Sequence, residues 1–422
     1  MTVTSFDIHV SHASHSHDNP TCGQISEPCH SLQYAIQKSN KSDAVLLDRD
    51  SEFDVYSMIF IKHDLTISSY CSSGWCTNNR SIINAVLNVD HSIFEIVKST
   101  VFLRLIKMRN LKHQILHLDC YGQSGIIFLQ CEFNQKVMVN PQGDPHLAVY
   151  LENNKFNASS PLSIDFQQSG TMTLINCDTE MTKTHIQTKS AKYLNVTTLV
   201  KDSYFSSHSI LELRMSGHLG IVNSKFGNLM IKDNGPLNTV IKNSLFVRNG
   251  IDIMSHQKSS ISIYSCICRN VSRWSISGLK QLNIGLQNNL FYHSSVKINY
   301  FDRSTLIFIA ENLFHKSNLT IDRDSIKSQT TSESTSMNQL YSKGRIFSDC
   351  SEKNDQAEPN SYAMGTIVVQ SSTFSGSVYV QADNITVDNA TLRDFTPTAN
   401  HPLPNCHRFV NVCQIHKLCV HQ

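Results

Sequence analysis

Leu219-Gly220-Ile221-Val222-Asn223-Ser224-Lys225-Phe226 is followed, twelve residues later, by Thr239-Val240-Ile241-Lys242-Asn243-Ser244-Leu245-Phe246. Each copy alternates apolar with small or polar residues, then reads Asn-Ser, one free position and Phe. Alternation is a strand signal, and Asn-Ser is a turn signal. The same phrase recurs along most of the chain. Anchored on its Phe or equivalent, it falls at Leu111, Phe133, Phe156, Thr179, Phe205, Phe226, Phe246, Cys268, Phe291 and Phe314, and again at Phe374 and Leu392. The run from Leu111 to Phe314 has a mean spacing near 22.6 residues.

Columns show that the period is real. Five residues before each anchor stand apolar residues in all twelve copies, among them Phe128, Leu151, Ile221, Ile241 and Ile309. Three before, six of the twelve are Asn. Two before stand small or short residues, with Arg109 the exception. This pattern predicts a parallel β-solenoid. Each short strand pairs with its equivalent one coil on, about 4.8 Å away, so like residues stack on like. The aliphatic column fills a continuous core that no coil can bury alone. The Asn column suits a left-handed bend with stacked amides. Antiparallel sandwiches seldom keep such columns, and the consensus of a leucine-rich repeat is absent.

Outward from the repeats, the ends differ. Residues 1–21 carry His9, His12, His15 and His17 and are expected to be a disordered His-rich tail. Cys22 and Cys29 enclose a short loop. Leu32, Ala35 and Ile36 then share one face of a short helix, the expected N-terminal cap that a solenoid needs. The solenoid is expected over 22–395. It is interrupted by the polar stretch 322–364, read as a mobile insertion. Residues 396–422 leave the pattern, as a Cys-containing cap or the start of a further Cys-rich module.

Composition narrows the compartment. The net charge is +2, which gives no electrostatic reason to expect nucleic acid, and no apolar run spans a membrane. Cys22, Cys29, Cys71, Cys76, Cys406, Cys413 and Cys419 are spaced for short-loop disulfides. N-glycosylation sequons begin at Asn40, Asn79, Asn157, Asn195, Asn270, Asn318, Asn384 and Asn389. These features point to an extracellular domain, with a leader missing from the chain at hand. A cytosolic protein with reduced thiols is the plainer alternative.

The layout resembles the right-handed parallel β-helix of the pectin-lyase-like superfamily, over about residues 22–395. The carriers are Cys22 to Cys29-His30-Ser31-Leu32-Gln33-Tyr34-Ala35-Ile36, Asp64-Leu65-Thr66-Ile67 and the recurrent Asn-Ser-x-Phe. The N-terminal part is similar to extracellular β-helix domains of large surface and receptor-like proteins. That superfamily includes lyases, hydrolases, adhesins and non-catalytic scaffolds, so the resemblance implies a fold and leaves function open.

No catalytic set emerges. An inverting glycosidase needs carboxylates roughly 6.5–9.5 Å apart across a groove. Counting about six residues past each anchor gives His117, Asp252, Lys297 and Thr320 as outward positions; Glu212 falls one residue later and Asp165 later still. Asp252 therefore has no partner carboxylate. Gly217-His218-Leu219 only approaches the Gly-His-Gly of polygalacturonases. Asp322-Arg323-Asp324 is the best local candidate for a calcium-dependent lyase, but it reads far more readily as a solvated polar turn. Trp75 and Trp274 are too far apart in sequence to form an obvious sugar platform. Cys131, Cys177 and Cys266 sit in the small-residue column as compact buried residues, and Cys266-Ile267-Cys268 lacks a second pair for a metal. The expectation is a non-enzymatic, monomeric scaffold or recognition domain without cofactor or metal, for a protein or carbohydrate ligand. A diverged lyase or hydrolase acting on an acidic polysaccharide is the competing reading.

Overall fold

The computed structural model describes residues 6–393, apart from 50, 71–79, 88–90, 112–114, 143–145, 158–161, 167–168, 180–184, 191–194, 303, 324–365, 377, 382–383 and 389, together with residues 420–421. The chain winds into a parallel β-solenoid of about 10 turns, consistent with the right-handed coil expected. Each coil visits three faces. The coil near residue 280 shows them: Trp274–Gly278 on the first face, Leu282–Gln287 on the second and the short Leu290–Tyr292 on the third. Each strand pairs in parallel with its equivalents one coil before and after.

Two residues make the bend from the second face to the third. In eleven successive coils the first of them has positive φ, between 45° and 56°: Leu105, Gln130, Asn153, Asn176, Asp202, Asn223, Asn243, Ser265, Asn288, Glu311 and Ser371. The left-handed region costs an ordinary L-residue about 1–2 kcal/mol, and Asn tolerates it best. That explains the Asn column. Some of its side chains also bond along the stack, as Asn223 Nδ2 does to Asp202 Oδ1 at 3.1 Å.

The second bend residue points inward and solves a different problem. Its backbone N–H has no strand partner, so the side chain one coil further on accepts it. Cys131 N donates to Asn154 Oδ1 at 2.7 Å, Cys177 N to Ser203 Oγ at 3.2 Å and Ser203 N to Ser224 Oγ at 3.1 Å. Ser224 N, Ser244 N, Cys266 N, Asn289 N and Asn312 N continue the ladder to Ser244, Cys266, Asn289, Asn312 and Ser372. Small polar residues stand here because a buried donor must be paired.

The Phe column lies just beyond, on the third face. Phe205, Phe226 and Phe246 stack with ring centroids 5.0 and 5.7 Å apart, and Phe291, Phe314 and Phe374 at 4.5 and 4.7 Å. Ten of the eleven anchor steps match the strand register. The first does not: Phe133 pairs with Met108, not Leu111. Leu111 is half-exposed. The corrected register puts buried Ile106 in the small column, so the exception there is an apolar residue facing the core and not Arg109. That coil is longer at its loop, so counting back from Phe133 by the mean period misplaced it.

The N-terminus also corrects the expected tail. Asp7–Val10 is a strand paired with Ala44–Leu47 on the second face. Its outer edge is covered by the Cys22–Cys29 loop: Cys29 N donates to His9 O, and Ser11 N to Cys29 O. An uncovered edge would be an aggregation template, so this segment is part of the cap. His12 stacks on Phe53 at 4.8 Å. Helix Leu32–Lys38 closes the end as expected, burying Leu32, Ala35 and Ile36, with Ser31 Oγ capping Tyr34 N. At the other end Val420–His421 pairs with Val380–Gln381 on the first face. The 322–364 insertion lies outside the described residues apart from its first two.

Candidate functional site

The inward positions specify the coil, so chemistry must sit on outward rows. On the first face the register places Glu212, Met230, Asp252, Ser275, Lys297 and Thr320 in one row. Glu212 thus shares the row of Asp252, two coils away, rather than lying one residue off. Counting from the anchor failed because the corner between third and first faces varies in length. The turn at Ser206–Ser209 lengthens it before Glu212. Each carboxylate is neutralised in place. Glu212 Oε1 lies 2.7 Å from Arg214 Nε and 3.7 Å from Lys232 Nζ. Asp252 Oδ2 lies 3.2 Å from Arg273 Nη2, and its other oxygen accepts from Ser275 Oγ. Asp165 belongs to the neighbouring row, in register with Lys189. Glu212 and Asp252 are held in separate local pairs and do not converge.

A different set does converge, nearer the N-terminus. Phe60, Glu95, Asp119 and Asn140 occupy one outward row in successive coils. Register puts Glu95 and Asp119 about 4.8 Å apart along the stack. Asn140 Nδ2 lies 3.2 Å from both Asp119 Oδ1 and His117 Nδ1. Phe60 is 51% exposed. Desolvation first, then the Asp119 carboxylate, pushes the Glu95 carboxyl above its ordinary range, while Lys62 opposes this. The same two carboxylates, after desolvation, raise the Tyr121 phenol. Counting from anchors began at Leu111 and passed over Glu95. The signal was present: Phe94-Glu95-Ile96 and Leu118-Asp119-Cys120 each set an acid between two apolar residues.

A second polar cluster lies at the corner between first and second faces. Asp233 is 2% exposed. It accepts from Ser255 Oγ at 2.6 Å, Ser259 Oγ at 3.1 Å, His256 N at 2.6 Å and Gln257 N at 3.3 Å. His256 Nδ1 stands 3.3 Å from its Oδ1. Desolvation would raise the Asp233 carboxyl, but these donors outweigh it and the net direction is down. The same hydrogen bond raises the His256 imidazole. Every acceptor lobe of Asp233 is used to hold the turn 255–259, so the arrangement is a clasp between coils.

The remaining residues fall out plainly. Cys22 and Cys29 are disulfide-bonded. Cys71, Cys76, Cys406, Cys413 and Cys419 lie outside the described residues. Cys120, Cys131, Cys177, Cys266 and Cys268 are buried free thiols. Burial pushes Cys120, Cys131 and Cys177 up to about 12 and Cys266 to about 11, so all are inert at neutral pH. No cluster of three or more His, Cys, Asp or Glu able to hold a metal occurs among the described residues. His218 is exposed on the second face, next to Gly217, whose φ of +104° and contact with Val196 backbone leave no room for a Cβ. Trp274 is buried against Phe291 and offers no sugar platform. Asp322 lies in register with Asn299 at the end of the first face; Asp324 is outside the described residues. Of the sequons, Asn40, Asn195, Asn270 and Asn318 are exposed. Asn157 donates through Nδ2 to Glu132 and Asn134. Asn384 begins the strand Asn384–Asp388, and Asn79 and Asn389 lie outside the described residues.

No helix among the described residues is long and apolar enough to cross a membrane. Compared with known proteins, the chain matches no family model and no curated protein sequence.

Proposed function

We propose that the protein is an extracellular, non-enzymatic β-helix that recognises a carbohydrate through the N-terminal part of its first face. The observation that carries this reading is the row Phe60, Glu95, Asp119, Asn140 with His117 beside it. An exposed ring offers an apolar face to a sugar. Carboxylates and an amide one coil apart offer paired acceptors and a donor to its hydroxyls. Two adjacent carboxylates favour neutral or amino sugars and oppose polyuronides. The Cys22–Cys29 disulfide supports an oxidising compartment. The column pattern supports kinship with the pectin-lyase-like superfamily. Titration against immobilised neutral, amino-sugar and polyuronide oligosaccharides tests this. Binding to the first two classes, weakened at least tenfold in Phe60→Ala and Asp119→Asn, is the expected result. Preference for polyuronides would sink it.

The competing reading, a diverged glycoside hydrolase, draws on one observation: a Glu95 carboxyl raised by burial and Asp119, about 4.8 Å from it along the stack. Release of reducing ends from a neutral polymer, abolished by Glu95→Gln, would select it over the scaffold.

A further inference from the structure

The second face carries apolar residues on its outward side as well as its inward one. Its central outward row runs Phe102, Ile127, Tyr150, Thr173 and Leu199 in five successive coils. The row two residues further along each strand alternates charge with aliphatics: Arg104, Leu129, Glu152, Ile175, Lys201 and Val222. On the opposite flank stand Gly125 and Ala148, which keep the surface flat. The core here is already filled by Leu103, Phe128, Leu151, Leu174 and Val200, so the outward set is not needed to specify the coil. The first face beside these coils instead turns His117, Glu95, Asp119 and Asn140 outward. Single apolar surface residues are ordinary, whereas a contiguous patch marks an interaction site. The central row alone spans about 20 Å along the stack.

We propose that a second copy of the chain covers this face, packed antiparallel about a two-fold axis that runs along the strand Ser124–Leu129. Such an interface is isologous, so each row meets itself in reverse order. Charge selects the register. An axis through the Glu152 strand sets that carboxylate against its own copy. An axis through the Ile175 strand pairs Glu152 with Lys201 but sets Arg104 against Lys242. With the axis at Ile127 and Leu129, Arg104 faces Glu152 of the second copy and Glu152 faces its Arg104. Phe102 then lies on Tyr150, Ser68 meets Ile175, and Ile127 and Leu129 meet themselves. Arg104 is exposed, and Tyr150 Oη donates to Glu152 Oε2 at 2.9 Å, which holds the carboxylate beside the ring. The overlap runs over the nine coils from Asp7 to Gly220. That is about 38 Å by about 20 Å, a footprint near the roughly 800 Å² per partner of a stable interface. A dimer thus takes the place of the monomer expected from sequence. Because the axis lies along the strands, both first faces fall on the same flank of the dimer.

Sedimentation velocity of the full chain over a concentration series tests this, with circular dichroism of every variant to confirm native strand content. The wild-type chain should sediment as a dimer. Arg104→Glu and Glu152→Arg each set like charges against one another and should raise the dimer dissociation constant at least tenfold. Both changes in one chain restore opposite charges and should recover the dimer. Ile127→Cys lies on the two-fold and should add a cross-link between copies under oxidised glutathione. Val240→Cys faces outward in the same row but lies beyond the overlap, and should add none. A wild-type chain that stays monomeric up to its solubility limit overturns the proposal, whether the face is then bare or binds a different protein. A dimer that neither charge reversal weakens overturns it too, as does failure of the folded double variant to recover. A cross-link through Val240→Cys in place of Ile127→Cys overturns the register on which the pairing rests.

Discussion

Asn312 shows how much one buried side chain holds. Its Oδ1 accepts from Asn289 N and Nδ2, and its Nδ2 donates to Leu286 O and Ala310 O. Removing it strands groups on two coils, and an unpaired buried polar group costs about 1–3 kcal/mol. Asn312→Ala should therefore lose on the order of 3 kcal/mol in urea unfolding, against about 1 kcal/mol for Asn223→Ala, whose role is to tolerate a left-handed backbone. Equal losses would mean that the inner ladder is no stronger a constraint than the outer bend. The clasp at Asp233 makes a pH prediction. The folded pKa of Asp233 is depressed, so its stabilisation exists above the ordinary carboxylate range and fades as pH falls through the depressed value. The folded pKa of His256 is raised, so its share is complete below the ordinary imidazole range and is lost as pH rises through the raised value. Stability should peak between the two. His256→Gln should flatten only the higher-pH limb, by less than about 1 kcal/mol because the ring is 38% exposed. Unfolding free energies measured from acid to mildly alkaline pH decide this.

At the scale of elements, the stacked phenylalanines and the N-terminal cap carry different kinds of stability. Phe226 is fully buried between Phe205 and Phe246. Phe226→Ala should cost roughly 3–5 kcal/mol, as large-to-small changes at packed aromatic sites do. The Cys22–Cys29 loop is short, so its constraint on the unfolded chain is worth only about 2.5 kcal/mol, less than a long loop would give. Its effect should be local, because the loop covers the edge of Asp7–Val10. Cys22→Ser with Cys29→Ser should speed amide exchange in residues 7–11 and leave the 220–310 coils unchanged; uniform acceleration along the solenoid would refute a local role. These elements differ in how far sequence reveals them. The bends and the Phe column were legible because stacking forces like residues onto like. The capping helix was legible from three spaced apolar residues. Asp7–Val10 was not: its four residues repeat nothing, and their partner strand Ala44–Leu47 lies 37 residues away. Glu95 and Asp119 were individually visible as acids between apolar neighbours. Their adjacency depended on a register that loop-length changes hide from counting.

At the scale of the molecule, the solenoid is a one-dimensional stack, and its stability should be close to a sum of coils and their interfaces. That view can be tested by removing one coil. Deleting residues 266–288 joins Ser265 to Asn289. The left-handed bend residue is then still followed by an inward small polar one, and Phe291 still falls three positions after Asn289's predecessor, Ser265. Ser265 N, which donates to Gln287 O, would meet Ala310 O instead, the acceptor now used by Asn288 N. Asn289 Oδ1, which now accepts from Cys266 N, would lose that donor. Asn312 Oδ1 would keep its bonds to Asn289. The excised chain should fold with unchanged strand content per residue. Its denaturant dependence should fall in proportion to the surface removed. Deleting 266–287 instead leaves Ser265-Asn288-Asn289, a third residue in a two-residue bend, which turns either the bend residue or the short third-face strand after it out of its inward alignment. That variant should fail to fold cooperatively. Cooperative folding of both deletions would show that the coils do not depend on columnar register, and would remove the physical reason for the repeat itself.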